Sequence, residues 1–168
     1  MSLISKVLIF LAALFIFSGS SLFAQDSINI DYIKIIKSER KLLTYNKGKL
    51  LKIYKIALGK NPVGQKLKEG DGKTPEGIYE ISAKNSKSSY HLSLKISYPN
   101  ERQIEEAKKQ SVNPGGEIMI HGIRNGLGFV GKYQSIIDWT QGCIAVSNKE
   151  IEEIYNSISL GTKVEILP

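Results

Sequence analysis

Apolar and polar residues alternate along three stretches of this chain, Ile28 to Ile36, Lys49 to Leu58 and Gly77 to Ser82. A period of two puts the apolar side chains on one face of an extended strand, so each stretch predicts a half-buried β-strand. Between the first two, Tyr45-Asn46-Lys47-Gly48-Lys49 carries the Asn and Gly that a tight hairpin turn favours. His91 to Ser97 and Glu117 to His121 predict two further strands. The pattern breaks from Gly59 to Gly77, a polar, glycine-rich connection that includes Pro62 and Pro75.

Two segments carry helical signals instead. Asn100 can cap a short helix running to about Gln110, before Asn113-Pro114-Gly115-Gly116 breaks it. Ser147-Asn148-Lys149-Glu150 fits a capping box, in which Ser147 and Glu150 satisfy each other's free backbone donors. Ile151, Ile154, Tyr155 and Ile158 then share one helical face, Gly161 is placed to end the helix, and Lys163 to Leu167 returns as a strand. The chain has no internal repeat, low-complexity tract or linker. Its fold class is mainly β, with one or two short helices packed on the strands.

The amino terminus follows a different logic. A short region with one charge, Lys6, precedes uninterrupted apolar sequence from Val7 to Phe17, and the small residues Ser18-Gly19-Ser20-Ser21 follow before Leu22-Phe23-Ala24. That order predicts a secretory signal peptide over residues 1–24 and an exported domain over 25–168, in the periplasm or cell envelope. The apolar run is shorter than the roughly 20 residues a membrane span needs, so no stable membrane insertion is expected after signal removal. What remains of the 168 residues is one domain's worth of chain, enough to bury a core without disulfides.

The formal net charge is +7, with the lysines spread along the chain and no nucleic-acid motif among them. The charge therefore reads as solubility and mild attraction to an anionic envelope, not as a nucleic-acid partner.

Export changes the meaning of the one cysteine, Cys143, in Thr140-Gln141-Gly142-Cys143-Ile144-Ala145. A single cysteine forms no intramolecular disulfide, so this thiol stays unpaired in an oxidising compartment. It is either a small buried hydrophobe or a nucleophile. His121, at the end of the strand Glu117 to Ile120, is the candidate base that would take the thiol proton. Gly142 leaves room for a substrate carbonyl to approach the backbone, where N–H groups around Gly142 and Cys143 could meet an oxyanion.

These residues resemble the L,D-transpeptidase catalytic domain family (YkuD-type). That family's motif is His-Gly, a variable stretch, then Ser-x-Gly-Cys with an apolar residue and commonly an Arg. Here it reads Ile120-His121-Gly122 and Gly142-Cys143-Ile144. Upstream, Lys60-Asn61-Pro62-Val63-Gly64, Gly70-Asp71-Gly72-Lys73-Thr74-Pro75-Glu76-Gly77 and Tyr79 resemble the family's connection between its early strands. The resemblance implies a β-sandwich with short helices, Cys143 as the acylated nucleophile and His121 as general base, and no metal or cofactor. It implies peptidoglycan stem peptides as substrate: Cys143 attacks the bond between the L-centre of a diamino acid and a terminal D-alanine. An amine on a neighbouring stem then resolves the thioester into a cross-link, and water in its place would make a carboxypeptidase or endopeptidase. An inactive wall-binding module is the remaining alternative.

Three positions depart from the family pattern. Thr140 replaces a frequent Ser, Gln141 a frequent His, and Ala145 the common Arg. A guanidinium suits a carboxylate, so the change at Ala145 bears on substrate recognition, with Arg124 the candidate replacement. The predicted substrate contacts are thus Gly122, Arg124, Thr140, Gln141 and Gly142. The run Gly142 to Asn148 also resembles a family branch whose members include an enzyme that cuts protein-to-peptidoglycan links.

Weaker signals are set aside. Gly72-Lys73-Thr74 mimics the end of a phosphate-binding loop, but Leu67 stands where its first glycine is required. His91 reads as structural, Trp139 as a packing anchor or groove wall, and Asp138 as a residue that could orient His121. Cys143, His121, His91 and Asp138 lack the short ligand spacing of zinc sites.

Overall fold

The computed structural model describes residues 29–168. The predicted signal peptide lies outside the described residues. Eight strands form one curled sheet: β1 (Ile30–Ile36), β2 (Lys41–Asn46), β3 (Lys49–Lys55), β4 (Gly77–Ser88), β5 (His91–Ile96), β6 (Met119–His121), β7 (Ile144–Ala145) and β8 (Ile158–Leu167). Their order across the sheet is β3-β2-β1-β8-β4-β5-β6-β7. Two α-helices, α1 (Glu101–Lys109) and α2 (Asn148–Ser157), and a 3₁₀ segment, Gly128–Ile136, complete the fold. Among the described residues no helix is long and apolar enough to cross a membrane.

The sandwich character comes from one long strand serving both halves. Residues Gly77 to Glu80 of β4 pair with β8, and Ile81 to Ser88 pair with β5. The curl continues until the two ends of the sheet meet. Ala57, just past β3, exchanges both backbone hydrogen bonds with Ala145 of β7, at 3.0 and 2.8 Å. Thr140 does the same with Leu58 and Lys60, at 3.1 Å each.

The period-two pattern places Ile33, Ile35, Leu42, Leu94, Ile120, Ile144 and Val164 in the core, each fully buried. Helix α2 lays Ile151 and Ile154 against the same core, packing on β5 and β6. Truncating such a residue, as in Ile120→Ala, costs about 2–5 kcal/mol through lost burial and the cavity left behind. Both helix starts follow the sequence signals. Asn100 Oδ1 accepts from Gln103 N–H and Gln103 Oε1 accepts from Asn100 N–H, each at 3.0 Å. Ser147 donates its backbone N–H and its hydroxyl to Glu150, at 2.9 and 2.6 Å.

The structure differs from the sequence reading in three places. Lys41–Asn46 is a strand, hidden because the adjacent Leu42 and Leu43 blur the alternation; Leu42 is buried and Leu43 half-buried. Helix α2 ends at Ser157, and Gly161 lies inside β8 at φ +81, where the pairing of β8 with β1 shifts register. The stretch 128–136 forms 3₁₀ turns interrupted at Gly131, and its Gln134 is buried.

The glycine-rich connection is a bonded unit. The ammonium of Lys37, 2% exposed, donates to Gly64 O, Thr74 O and Glu76 Oε1 at 2.8, 3.0 and 2.8 Å. Asp71 accepts from the Lys66 ammonium at 2.8 Å and from the backbone N–H groups of Leu67, Lys68 and Lys73. Burial alone would raise the Asp71 pKa, but these donors hold it down to about 2.

Candidate active site

Strand register builds a cavity of about 450 Å³ whose lining includes Cys143, His121, Thr140, Gln141, Trp139, Tyr90 and Ser93. Ser93 pairs with His121 and His121 with Ala145, so these residues line up across β5, β6 and β7, with Asn85 of β4 in the same row. One period along, Met119 lies in the row occupied by Cys143. The opposite faces of the same strands carry Leu94, Ile120 and Ile144 into the core. Strand geometry therefore puts the thiol and the imidazole on one face while the alternating residues anchor that face.

His121 is 4% exposed and held from several sides. Its Nδ1 lies 2.7 Å from the carbonyl oxygen of Gly122, which can only accept, so Nδ1 carries the proton and Nε2 is the free acceptor. Tyr90 packs on the ring with centroids 4.6 Å apart, and Trp139 meets it edge-on at 5.7 Å. Trp139 is fixed in turn: its Nε1 donates to Gln134 Oε1 at 3.2 Å, and Gln134 Nε2 donates to Ala145 O at 3.2 Å. The 3₁₀ segment is thus the brace behind the aromatic wall. Burial pushes the His121 pKa down, with the Gly122 carbonyl pulling it partly back.

Cys143 is half-buried, its Sγ 3.5 Å from Glu117 O. Burial pushes the thiol pKa up; a backbone hydrogen bond at Met119 and the Lys66 ammonium oppose this, and Glu117 adds to it. Both shifts favour the uncharged forms of the thiol and of the imidazole. Such a pair can generate thiolate as the proton moves to Nε2 during attack.

The loop that presents the thiol is built by backbone contacts. The Thr140 hydroxyl donates to Cys143 O at 2.8 Å and accepts from Gly142 N–H at 3.1 Å. Gly142 has φ +131, and a Cβ there would lie 2.6 Å from Lys73 O. Gly59 is equally confined, since its Cβ would lie 2.1 Å from Gly72 O. Glycine is needed at 142 because the nucleophile loop lies directly on the 59–77 connection. The N–H of Gly142 is already spent on Thr140, whereas that of Cys143 has no partner among the described residues.

Of the predicted substrate contacts, Thr140 and Gln141 line the cavity, and Gly122, Gly142 and Arg124 do not. Gly122 faces α2, where a Cβ would meet Asn148 Oδ1 at 2.8 Å. Arg124 is exposed and lines a neighbouring groove of about 410 Å³ with Leu127, Val130 and Tyr133. Asp138 does not reach His121; it pairs with Arg40 at 2.8 Å and accepts from Leu58 N–H at 2.9 Å. His91 pairs with Glu152 at 2.6 Å. Among the described residues no three His, Cys, Asp or Glu side chains cluster as a metal site would require. Tyr90 and Ser93 escaped the sequence reading because only the pairing of β5 with β4 and with β6, the latter distant in sequence, brings them to the cavity that holds the thiol.

Known proteins share this fold. The family model of the L,D-transpeptidase catalytic domain, YkuD, matches residues 30–166. YafK of Escherichia coli (strain K12), provisionally named an L,D-transpeptidase, is 32% identical over 134 residues, covering 76% of this chain and 47% of YafK. A mutant of the helical cell shape determining protein Pgp2 from Campylobacter jejuni superposes with a TM-score of 0.63 at 27% identity, over 82% of this chain and 47% of that one. L,D-transpeptidase 1 of Mycobacterium tuberculosis shares the fold at 13% identity, with a TM-score of 0.50 over 82% of this chain and 60% of that one. The chain spans about half the length of YafK and of Pgp2. From strand order to the His-Gly and Gly-Cys motifs, the chain belongs to the L,D-transpeptidase catalytic domain family.

Proposed function

We propose that this chain is an exported cysteine L,D-transpeptidase that cross-links peptidoglycan stem peptides in the cell wall, with residues 1–24 as its signal peptide and 25–168 as the catalytic domain. The observation that carries the reading is a thiol and an imidazole with a free Nε2 in one cavity, set there by the pairing of β6 with β7. In this mechanism the Cys143 proton passes to His121 Nε2 as sulfur attacks the carbonyl at the L-centre of the diamino acid. The oxyanion forms beside the unpartnered N–H of Cys143. The D-alanine amine leaves with the proton from His121, and a thioester remains on Cys143. An amine from a second stem then attacks the thioester, and its surplus proton returns through His121 to the thiolate. Thr140 and Gln141 border the substrate, and no step calls for a metal or cofactor.

A second reading, hydrolysis through the same thioester, draws support from the run Gly142 to Asn148, which resembles the branch that cuts protein-to-peptidoglycan links. Likeness to Pgp2 adds a contribution to cell shape to either reading. Retention of both Cys143 and His121 argues against an inert wall-binding module.

The test is incubation of the signal-free protein with disaccharide tetrapeptide, followed by mass spectrometry. Cross-linked dimer with loss of one D-alanine is the expected product. Tripeptide without dimer would replace transfer by hydrolysis. No change on tetrapeptide or on intact sacculi carrying attached protein would sink both readings.

A further inference from the structure

Among the described residues lining the Cys143 cavity, Lys87 is the only lysine or arginine. It is exposed near the end of β4, and no ion pair among the described residues involves it. Its neighbours in the fold are committed elsewhere. Lys84 donates to the backbone oxygens of Tyr155 and Ile158, and Lys95 is paired with Glu117. The cavity therefore carries one uncompensated positive charge, on the wall opposite the nucleophile strand.

A second observation points to the same side. Ser93 is 1% exposed, and its Oγ is the buried side-chain polar atom left without a partner among the described residues. A buried hydroxyl with no hydrogen bond is costly and calls for an explanation. Ser93 lies on the cavity lining between His121 and Asn85, in the row that runs from the imidazole toward Lys87. Polar side chains thus continue from the reacting centre to the free ammonium. On the other side of His121 the row ends at Ala145, fully buried, where the family commonly has Arg.

We propose that Lys87, with Ser93 and Asn85, forms a carboxylate-binding subsite for the part of the stem peptide that stays on the enzyme. The proposal rests on the reading of the substrate given above and names the group that reads it. Three strand spacings separate the strand of Cys143 from that of Asn85, about 14 Å in all. Lys87 follows Asn85 toward His91, whereas Cys143 lies one period the other way in the Met119 row, so the ammonium stands well beyond the scissile bond even at a lysine's full reach. The carboxylate of the leaving D-alanine lies too near the scissile bond to meet it. A free carboxylate on the glutamyl residue preceding the diamino acid lies farther from that bond along the retained stem. Lys87 is a specificity residue in this role and takes no part in bond making.

The experiment measures binding to the intact domain carrying Cys143→Ala, so turnover does not interfere. The probes are two tetrapeptide stems that differ only at the glutamyl residue, one with its free α-carboxylate and one with the carboxamide. The carboxylate form is expected to bind about tenfold more tightly, the scale of one charge-assisted contact. Adding Lys87→Met should erase that preference by weakening the carboxylate form alone, and Lys87→Arg should keep it. Ser93→Ala should weaken both forms by a smaller factor. Equal binding of the two forms, a preference that survives Lys87→Met, or no saturable binding of either would overturn the subsite. Acylation of wild-type Cys143 by a carbapenem reads the mechanism separately. Acylation without the preference leaves the mechanism and removes the subsite; the preference without acylation does the reverse.

Discussion

Two cavities of similar size, about 450 and 410 Å³, lie back to back against the shared wall of Tyr90 and Trp139. One contains the thiol, the imidazole and a polar row; the other is lined by Ile123, Leu127, Val130, Tyr133 and Ile137, with Arg124 among them. Arg124 is three residues from His121 yet falls on the far side, because β6 ends at His121 and the chain turns away. Lys87 is far from Cys143 in sequence and lines the same cavity. Register across strands, not nearness along the chain, decides which charges face the thiol.

The largest expected effects fall on the first cavity alone. Cys143→Ala and His121→Ala should each lower turnover by roughly 10⁴-fold; the melting temperature should stay close to the parent's for Cys143→Ala and fall for His121→Ala, which also loses its packing on Tyr90 and Trp139. Retained turnover in either variant would break the assignment.

Gly142→Ala should disturb the same cavity from beneath. The added methyl meets Lys73 O at 2.6 Å on a backbone at φ +131, so a loss of about 2–4 kcal/mol is expected together with a lower kcat. Thermal unfolding and steady-state kinetics measured side by side would show whether stability and activity fall together, as this contact requires.

The pH dependence should carry the imprint of burial. In the proposed mechanism His121 acts as a neutral base, and its lowered pKa places the acid limb of kcat/KM below the ordinary histidine range. Because the thiol pKa is raised, alkylation of free Cys143 by iodoacetamide should climb only above the ordinary thiol range. Rapid alkylation at mildly acidic pH would instead point to a resting thiolate and imidazolium.

The smallest effect belongs to the second cavity. Arg124→Ala should leave KM for the stem peptide within about twofold, because the guanidinium lines the groove beyond Trp139. A KM rise of tenfold or more with unchanged kcat would show that the substrate spans both cavities.

The parts legible in the sequence were those governed by local rules. Alternation marked β1, β3 and the start of β4, and the capping residues Asn100, Ser147 and Glu150 marked both helices. The His-Gly and Gly-Cys motifs picked out Cys143 and His121, which the structure brings into one cavity. Where partners are distant, local rules failed. Asp138 looked free to orient a histidine and is held instead by Arg40. Gly142 looked like clearance for substrate, whereas its confinement comes from Lys73 in a connection read as a polar loop. Ser93 carries no signal at all until it is placed opposite His121.

The meeting of the sheet's two ends has a consequence for when the surroundings of this thiol take shape. The segment around Cys143 is held by residues 57–60, so its shape depends on contacts that span more than half of the domain. Contacts of such long sequence separation form late, after the loop-closure cost of joining the chain's halves has been met. A partly folded chain therefore carries Cys143 without the buried surroundings that raise its pKa in the folded domain. Burial of the thiol and completion of the cavity around it become one cooperative event.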